Sequence, residues 1–322
     1  MAAPEIEIQR LVANPIITTD SSPSLGNNVN GPSVIRVPNW VDNPLGKYYM
    51  YFAHHRGKHI RLAYADSIGG PWTVYEPGVL HLEESYFPTG VIPLARLPRE
   101  RRERVAERRA DGYDPLYTHI ASPEAVIVPE KQEIRLYYHG MLETGSQASR
   151  VAVSRNGLKF DARQEVITRP YLRVFPWNGQ YYGLAMPGVF YRSSDGLTKF
   201  EEGLSLFNPN MRHSGLMIRD SKLYVFWTQA GHAPERILLS TIDINADWST
   251  WQASEPVEIL RPETDWEGAD RPIEPSRRGA IETRVHQLRD PEVFEEGSDT
   301  YLFYSIAGEA GIALAKVIER SR

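Results

Sequence analysis

The chain has 322 residues, of which 41% are hydrophobic and 24% are charged, as is typical of a soluble globular protein. Its formal net charge of −5 at pH 7 does not predict a nucleic-acid partner or an anionic membrane surface. The absence of cysteine excludes disulfides, thiolate metal sites and a cysteine nucleophile. Tyr, Trp, Gly and Pro are abundant, and this mixture favours strands and turns over long helices.

The N-terminal segment "MAAPEIEIQRLVANP" has neither a basic start nor an apolar core, so no signal peptide is predicted. No run of about 18 apolar residues occurs, so no membrane-spanning helix is expected either. A cytoplasmic location is the simplest expectation. Within this segment, "EIEIQRLV" alternates apolar and polar residues, which predicts a strand with one buried face.

A pattern of strand, turn, aromatic strand, Gly-containing loop and third strand occurs five times. It runs through "NGPSVIRVPNW" and "KYYMYFAHH" near the start and returns in "RDPEVF" and "TYLFYS" near the end. The first strands of the five units are expected near Ser33, Glu124, Leu172, Ser214 and Pro291. Short strands with regular turn signals predict an all-β protein, and four-stranded units that recur every ~40–60 residues predict propeller blades.

The sequence therefore predicts an all-β, five-bladed β-propeller that forms a single domain over residues 1–322. The fifth unit ends after its third strand, so "EIEIQRLV" is expected to add the fourth strand and close the ring. A β-sandwich is the alternative architecture, but it does not explain five copies of the pattern.

The first of two insertions, at about residues 81–118, contains "LPRERRERVAERRADG". Pro98 at its start and Gly112 at its end predict a short helix. Seven Arg against three Glu between Arg96 and Arg109 could bind an acidic partner. The alternative is a solvated helix laced with ion pairs such as Glu100–Arg104.

The second insertion, at about residues 261–285, is too irregular for a strand and predicts a long loop. Because it leads directly into the fifth blade, its stem is expected at the mouth of the central channel. It carries Trp266, whose face could support a sugar ring or could simply pack on a neighbouring blade. If the loop walls a pocket, the site would suit a short glycan or a chain end.

Propeller geometry brings the loops before each first strand to the same face as the loops between second and third strands. Eight of the nine histidines fall in these loops, and only His81 does not. The candidate catalytic residues are Glu124, Asp290 and His213. The candidate substrate-binding residues are His54, His55, His119, His139, Arg173, Arg212, Gln229, Arg289, Glu309 and Trp266. Structural roles are the alternative: an Asx turn at Asp290, core histidines, and ion pairs between blades.

A pocket of His, Arg, Glu and Asp suits an anionic or polyhydroxyl substrate. Arg binds carboxylates with two hydrogen bonds, a carboxylate pair can divide acid and base roles, and His can protonate a leaving group. Several convergent imidazoles could instead hold a divalent metal in the channel, although no cofactor is required. The sequence has no HExxH, P-loop, GxGxxG or GxSxG motif, which argues against the mechanisms that use them.

The segments "RDPEVF" with "TYLFYS", "NGPSVIRV" with "KYYMYFAHH", and "LAYADSIGGPW" resemble the blade signatures of family-43 glycoside hydrolases and their relatives, which include arabinofuranosidases, fructosidases and neoagarooligosaccharide hydrolases. The resemblance covers roughly Asn14 to Val317. It implies a five-bladed propeller and three acidic residues around the channel: a base, a pKa-tuning acid and a general acid, the last sometimes a His.

The chain departs from that pattern. Blade one has Gly31 where the family has Asp before Pro, blade two has Ser122, and only Asp290 in blade five keeps the Asp-Pro pair. The acidic triad therefore cannot be transferred residue by residue. Either the acids have moved, for example to Glu124 or Glu292, or the chemistry differs.

Three functions stay open on the sequence alone. The first is a glycoside hydrolase in which Glu124 and Asp290 activate water and tune the acid and His213 donates the proton. Its arginines would bind a sugar, which could be a uronic acid. The second is a β-eliminating lyase in which Arg neutralises a uronate carboxylate while His or Tyr removes the C5 proton. The third is a non-catalytic sugar-binding propeller.

Overall fold

The structure is a computed structural model that describes residues 5–110 and 112–320, and it is a ring of five antiparallel sheets. Two N-terminal strands, β1 (Glu5–Arg10) and β2 (Ile17–Thr18), precede the first blade. Blade one contains β3 (Asn30–Arg36), β4 (Tyr48–Ala53), β5 (His59–Ala65) and β6 (Thr73–His81). Blade two follows α1 (Arg99–Ala110) and contains β7 (Ile120–Val128), β8 (Glu133–Met141), β9 (Gln147–Ser154) and β10 (Asp161–Ala162).

The remaining blades follow in chain order. Blade three contains β11 (Arg173–Trp177), β12 (Gln180–Ala185), β13 (Val189–Ser193) and β14 (Glu201–Ser205). Blade four contains β15 (Met211–Arg219), β16 (Lys222–Gln229), β17 (Ile237–Asp243) and β18 (Val257–Leu260). Blade five contains β19 (Arg289–Glu296), β20 (Asp299–Ile306) and β21 (Gly311–Arg320). The predicted five-bladed propeller is confirmed.

The ring is closed by the N-terminal strand, as the sequence predicts. β1 pairs antiparallel with β21, from Glu5 opposite Arg320 to Arg10 opposite Ala315, so it is the outermost strand of blade five. β2 pairs with the first residues of β21 as well. One blade is thus built from both ends of the described chain, which pairs two edges that would otherwise be exposed.

The core lies between the blades. Five hydrophobic clusters each join side chains of two adjacent sheets, for example Tyr51 of blade one with Ile134 and Leu136 of blade two. Because an inner strand is covered on both faces, β3 and β4 are buried along nearly their whole length. The outermost strand β14 is mostly exposed. This is why the inner strands appear in the sequence as continuous apolar and aromatic runs.

A β-bulge interrupts the innermost strand of four blades at the same place, just where each strand enters the channel. The pairing shifts between Asn30 and Ser33 in blade one, and between Arg289 and Glu292 in blade five. Blades two and four shift between Ala121 and Glu124 and between Met211 and Ser214. Bulges re-aim side chains, and here they turn one residue of each strand toward the channel axis.

The predicted helix is confirmed as α1. It follows Pro98, and Gly112 accommodates a φ of +78° just beyond its end. Val105 is its buried residue, and it packs with four apolar side chains beneath the helix, Ile92, Leu97, Leu116 and Met141. No helix in the described ranges is long and apolar enough to cross a membrane.

Candidate active site

A cavity of about 470 Å³ opens at the face of the ring where the insertions lie. Its polar lining consists mainly of five arginines, two histidines and three tyrosines: Arg101, Arg104, Arg108, Arg212, Arg278, His55, His213, Tyr113, Tyr117 and Tyr171. The described residues that line it include no Asp or Glu. In a chain of net charge −5, this lining concentrates positive charge in one place.

Two insertions meet to wall this cavity. The second insertion approaches Tyr113 so closely that a Cβ on Gly279 would lie 2.5 Å from the Tyr113 hydroxyl oxygen, and the φ of Gly279 is +107°. Its neighbour Arg278 is fixed by donating hydrogen bonds to the carbonyl oxygens of Pro209 and Met211. The two long insertions therefore enclose a site over the channel, although neither forms part of a blade.

His213 and Asp290 lie against each other at the floor. Nδ1 of His213 lies 2.8 Å from Oδ1 of Asp290, and both side chains are buried. Burial lowers the pKa of His213, and Asp290 partly offsets this effect. Burial alone would raise the pKa of Asp290, but His213 holds it below its ordinary value. A carboxylate at Nδ1 favours a proton on that nitrogen and leaves Nε2 as the reactive atom.

His55 and Glu309 repeat this arrangement with a second histidine and a second carboxylate. Nδ1 of His55 lies 3.1 Å from Oε1 of Glu309, and His55 lines the cavity while Glu309 lies behind it. Glu309 also accepts hydrogen bonds from Asn28 at 2.6 Å and Arg289 at 2.8 Å. Burial would raise the pKa of Glu309, but His55 and Arg289 hold it well below its ordinary range. Two imidazoles, each supported by a buried carboxylate, thus face one cavity.

Four aromatic rings connect these two pairs along the floor. The ring centroids of Tyr117 and His119 are 4.7 Å apart, and those of His139 and Tyr171 are 4.3 Å apart. Tyr171 in turn lies 4.7 Å from His213. Burial lowers the pKa of His119 to about 3 and that of His139 well below its ordinary value, so both rings are neutral. In the described parts of the chain, no three His, Cys, Asp or Glu side chains are arranged to hold a metal ion.

Below this floor, equivalent positions of the five inner strands plug the channel. Nη1 of Arg173 lies 2.5 Å from Glu124 and 3.4 Å from Glu292, and its Nε donates to the carbonyl oxygen of Ser214. The hydroxyl of Ser33 lies 3.4 Å from Glu124 and 3.3 Å from Glu292, so it can donate its one proton to either glutamate. Burial, together with the negative charge of Glu124, raises the pKa of Glu292 to about 8. Two carboxylates and one guanidinium are therefore locked together out of contact with the cavity.

The structure divides the residues that the sequence predicts for the site. His55, Arg212 and His213 line the cavity, and Asp290, Arg289 and Glu309 lie directly behind them. His119 and His139 belong to the floor, whereas Glu124 and Arg173 belong to the plug. His54, Gln229 and Trp266 are elsewhere: they contact Asn27, Asn208 and the core of blade five respectively.

The position of Glu124 does not support the catalytic role predicted for it, because its carboxylate is occupied by Arg173 and does not line the cavity. Likewise, Trp266 is half-buried against the core and lines a separate cavity of about 260 Å³. The residues that the candidate list missed are the arginines of α1, Arg278 and the three tyrosines. The excess of arginine in α1 is the feature of the sequence that could have indicated them. The sequence does not predict which face of the helix lies toward the channel.

The fold is that of the five-bladed propeller glycoside hydrolases. A glycosyl hydrolase from Bacteroides ovatus superposes with a TM-score of 0.64 at 12% identity, covering 100% of this chain and 95% of that chain. A family-43 β-xylosidase/α-arabinofuranosidase from a compost metagenome, solved with xylotriose, gives a TM-score of 0.56 at 13% identity and covers 98% and 96%. The resemblance seen in the sequence is thereby confirmed as a resemblance of fold.

A relative with clear sequence similarity is "Uncharacterized protein R118" of Acanthamoeba polyphaga mimivirus. The two are 32% identical over 342 aligned positions, which cover 97% of this chain and 91% of the viral protein. This chain belongs to the same family as that protein. No family model matches the chain.

Proposed function

We propose that the protein is a carbohydrate-active enzyme, a glycoside hydrolase that cleaves a short glycan or releases the end of a chain. The observation that carries the proposal is the walled cavity at the channel mouth, in which His55 and His213 are each supported by a buried carboxylate. A cavity bounded by two insertions suits a chain end better than the middle of a polymer. The shared fold with glycoside hydrolases supports the same class of substrate.

Hydrolysis of a glycosidic bond needs one group that protonates the leaving oxygen and another that removes a proton from water. His213 is suited to the second role, because its lowered pKa keeps it neutral near pH 7 and its Nε2 is left to accept the proton. His55 lines the same cavity and takes the first role. The C–O bond breaks with transfer of the proton to the leaving oxygen, and the hydroxyl of water adds to the anomeric carbon.

One observation favours a second candidate, β-elimination from a uronic-acid glycoside. The described residues that line the cavity include no carboxylate, whereas hydrolases of this kind usually act through two. In elimination, Arg212 or Arg278 would neutralise the uronate carboxylate and His213 would remove the C5 proton. The C4–O bond then breaks to leave a C4=C5 double bond, the base passes its proton to the leaving oxygen, and no water is consumed.

The test is a screen of neutral and uronic-acid oligosaccharides in heavy-oxygen water, with mass and ultraviolet absorbance of the products measured together. Hydrolysis incorporates one heavy oxygen at the new reducing end, while elimination incorporates none and produces near-ultraviolet absorbance. Tight binding with no product across the panel would contradict both activities and favour a sugar-binding propeller. The variant His213→Asn should abolish turnover in either active case.

A further inference from the structure

Among residues 5–110 and 112–320, the arginines of the cavity outnumber the carboxylates that pair with them. Arg101, Arg104 and Arg108 lie three and four residues apart, so they share one face of α1, and this face lines the cavity. Arg278, which belongs to the second insertion, lines the same cavity. Arg212 is different, because its Nη1 lies 3.0 Å from Glu235 and it is therefore already paired.

Arg101, Arg108 and Arg278 contact neutral groups of the protein. Arg101 donates to the carbonyl oxygen of Gly145, Arg108 stacks over the ring of Tyr113, and Arg278 contacts the sulfur of Met186 and two carbonyl oxygens. Arg104 has only an exposed pairing with Glu100 at 3.9 Å. The buried Nε of Arg101 has no hydrogen-bond partner in the described structure.

The outer side of the same insertion provides the contrast. There, Arg99 pairs with Glu103 at 2.9 Å, Arg109 with Asp114 at 3.0 Å, and Arg96 with Glu143 at 3.2 Å. Within the described residues, Arg96, Arg99 and Arg109 thus form ion pairs of 3.2 Å or shorter, whereas Arg101, Arg104 and Arg108 form none shorter than 3.9 Å.

Leaving these guanidinium groups together is unfavourable without a counter-charge. Burial lowers the pKa of Arg101, and the nearby positive charges of Arg104 and Arg108 lower it further. Burial and the charge of Arg212 act on the pKa of Arg278 in the same direction. An anion between α1 and Arg278 would relieve this repulsion and satisfy the free Nε of Arg101.

We propose that the cavity binds a glycan that carries at least two negative charges, held between the inner arginines of α1 and Arg278. A single carboxylate would leave most of these guanidinium groups unneutralised. Two carboxylates on adjacent uronic acids or one phosphate ester on a sugar both satisfy the charge and offer the paired oxygens that Arg binds best. This inference rests on the proposed function and names the class of substrate.

The test is calorimetric titration of the full chain with four probes: digalacturonate, galacturonate, galactose 6-phosphate and neutral galactobiose. Digalacturonate or galactose 6-phosphate should bind at least about tenfold more tightly than galacturonate, and this affinity should fall steeply with salt. The better of these two dianions identifies carboxylates or phosphate as the natural group. Equal affinity for galactobiose, or no binding of either dianion, overturns the proposal.

Matched charge variants locate the site. Arg101→Gln with Arg108→Gln should weaken binding of the better dianion by about a hundredfold, since each removes a charge-assisted contact. Arg99→Gln with Arg102→Gln removes the same charge from the outer face and should change affinity less than about twofold. An equal loss of affinity in the two double variants overturns the proposal. If the double variant of Arg101 and Arg108 fails to fold, Arg278→Gln serves as the second test and should also weaken dianion binding.

Binding is measured without turnover, so the two proposals can fail separately. Dianion binding that depends on Arg101 and Arg108 but yields no product on any glycan keeps this inference and ends the proposed activity. Turnover of neutral glycosides that does not change with salt concentration keeps the proposed activity and ends the inference of a dianionic substrate.

Discussion

His213 and Asp290 lie on the innermost strands of blades four and five, and their side chains meet at 2.8 Å in the channel. Asp290 sits in the bulge of β19 with a φ of +47°, a conformation that aims its carboxylate across the channel toward the neighbouring blade. Ser305 donates a hydrogen bond to its other oxygen. The pair joins two consecutive blades, because 76 residues separate His213 from Asp290 in the chain.

The first prediction concerns Asp290→Asn. The substitution keeps the shape but removes the charge at Nδ1 of His213, so turnover should fall by roughly a hundredfold or more. Loss of the negative charge lowers the pKa of His213 further, and the acid limb of the pH–rate profile should therefore move to lower pH. Asp299→Asn, at a partly exposed pair with Lys316 in the same blade, is the control. Unchanged kinetics in Asp290→Asn would remove the pair from the mechanism.

Glu309→Gln should destabilise the fold strongly. The substitution removes the charge that lies 2.8 Å from Arg289 and leaves Arg289 only the longer contact with Glu235 at 3.4 Å; breaking a buried pair costs about 3–5 kcal/mol. Because the pKa of Glu309 is held well below its ordinary value, its contribution is present above about pH 4 and is lost as pH falls. In urea unfolding, the difference from wild type should therefore narrow in acid. Glu282→Gln, at an exposed pair with Arg56, should change stability by less than about 1 kcal/mol.

Glu292→Gln should have the opposite pH dependence. Burial and the charge of Glu124 raise the pKa of Glu292 to about 8, so the folded state holds a proton that the unfolded state releases near pH 4. Wild-type stability contributed by this group therefore falls as pH rises between those values. Gln needs no proton, so the Tm of the variant minus that of wild type should increase from pH 5 to pH 8. A difference that stays constant, as expected for the exposed Glu295→Gln, would show that Glu292 is ionised throughout.

Much of the fold could be predicted because the repeat encodes it locally. The aromatic run at residues 48–53 and its equivalents mark the inner strands, and the alternation in β1 marks a strand with one covered face. Pro98 and Gly112 delimit α1 in the same local way. Each of these signals depends on neighbours in sequence, which explains why the blade count and the ring closure could be predicted.

The site could be predicted only in part. Loop topology correctly gathered His55, Arg212 and His213 at one face, but the difference between cavity and plug depends on the depth of a residue in the channel. Glu124 and Asp290 lie only two residues apart in the repeat, yet one pairs with Arg173 below the floor and the other with His213. The bulge between these two positions decides which side chain reaches the cavity, and it cannot be recognised without the register of the strands.

The last prediction concerns the anchor of the second insertion. If this loop only walls a pocket, as the sequence suggests, shortening it should weaken substrate binding and leave the melting temperature within a few degrees of wild type. The structure indicates a different result for the first half of the loop. Glu267 is fully buried there and accepts hydrogen bonds from Nε of Arg10 at 2.8 Å and from the hydroxyl of Tyr304 at 3.0 Å. It thus ties the loop to the strand that closes the ring.

Glu267→Gln should therefore lower the free energy of unfolding by about 2–4 kcal/mol, because it leaves Arg10 without its buried partner and weakens the hold on β1. Glu263→Gln is a matched control, since Glu263 contacts Arg10 at the same 2.8 Å but its side chain is 60% exposed; it should cost less than about 1 kcal/mol. Urea unfolding followed by tryptophan fluorescence measures both. Equal midpoints for the two variants would show that the loop does not stabilise the ring, and a loss confined to Glu267→Gln would show that closure of blade five depends on it.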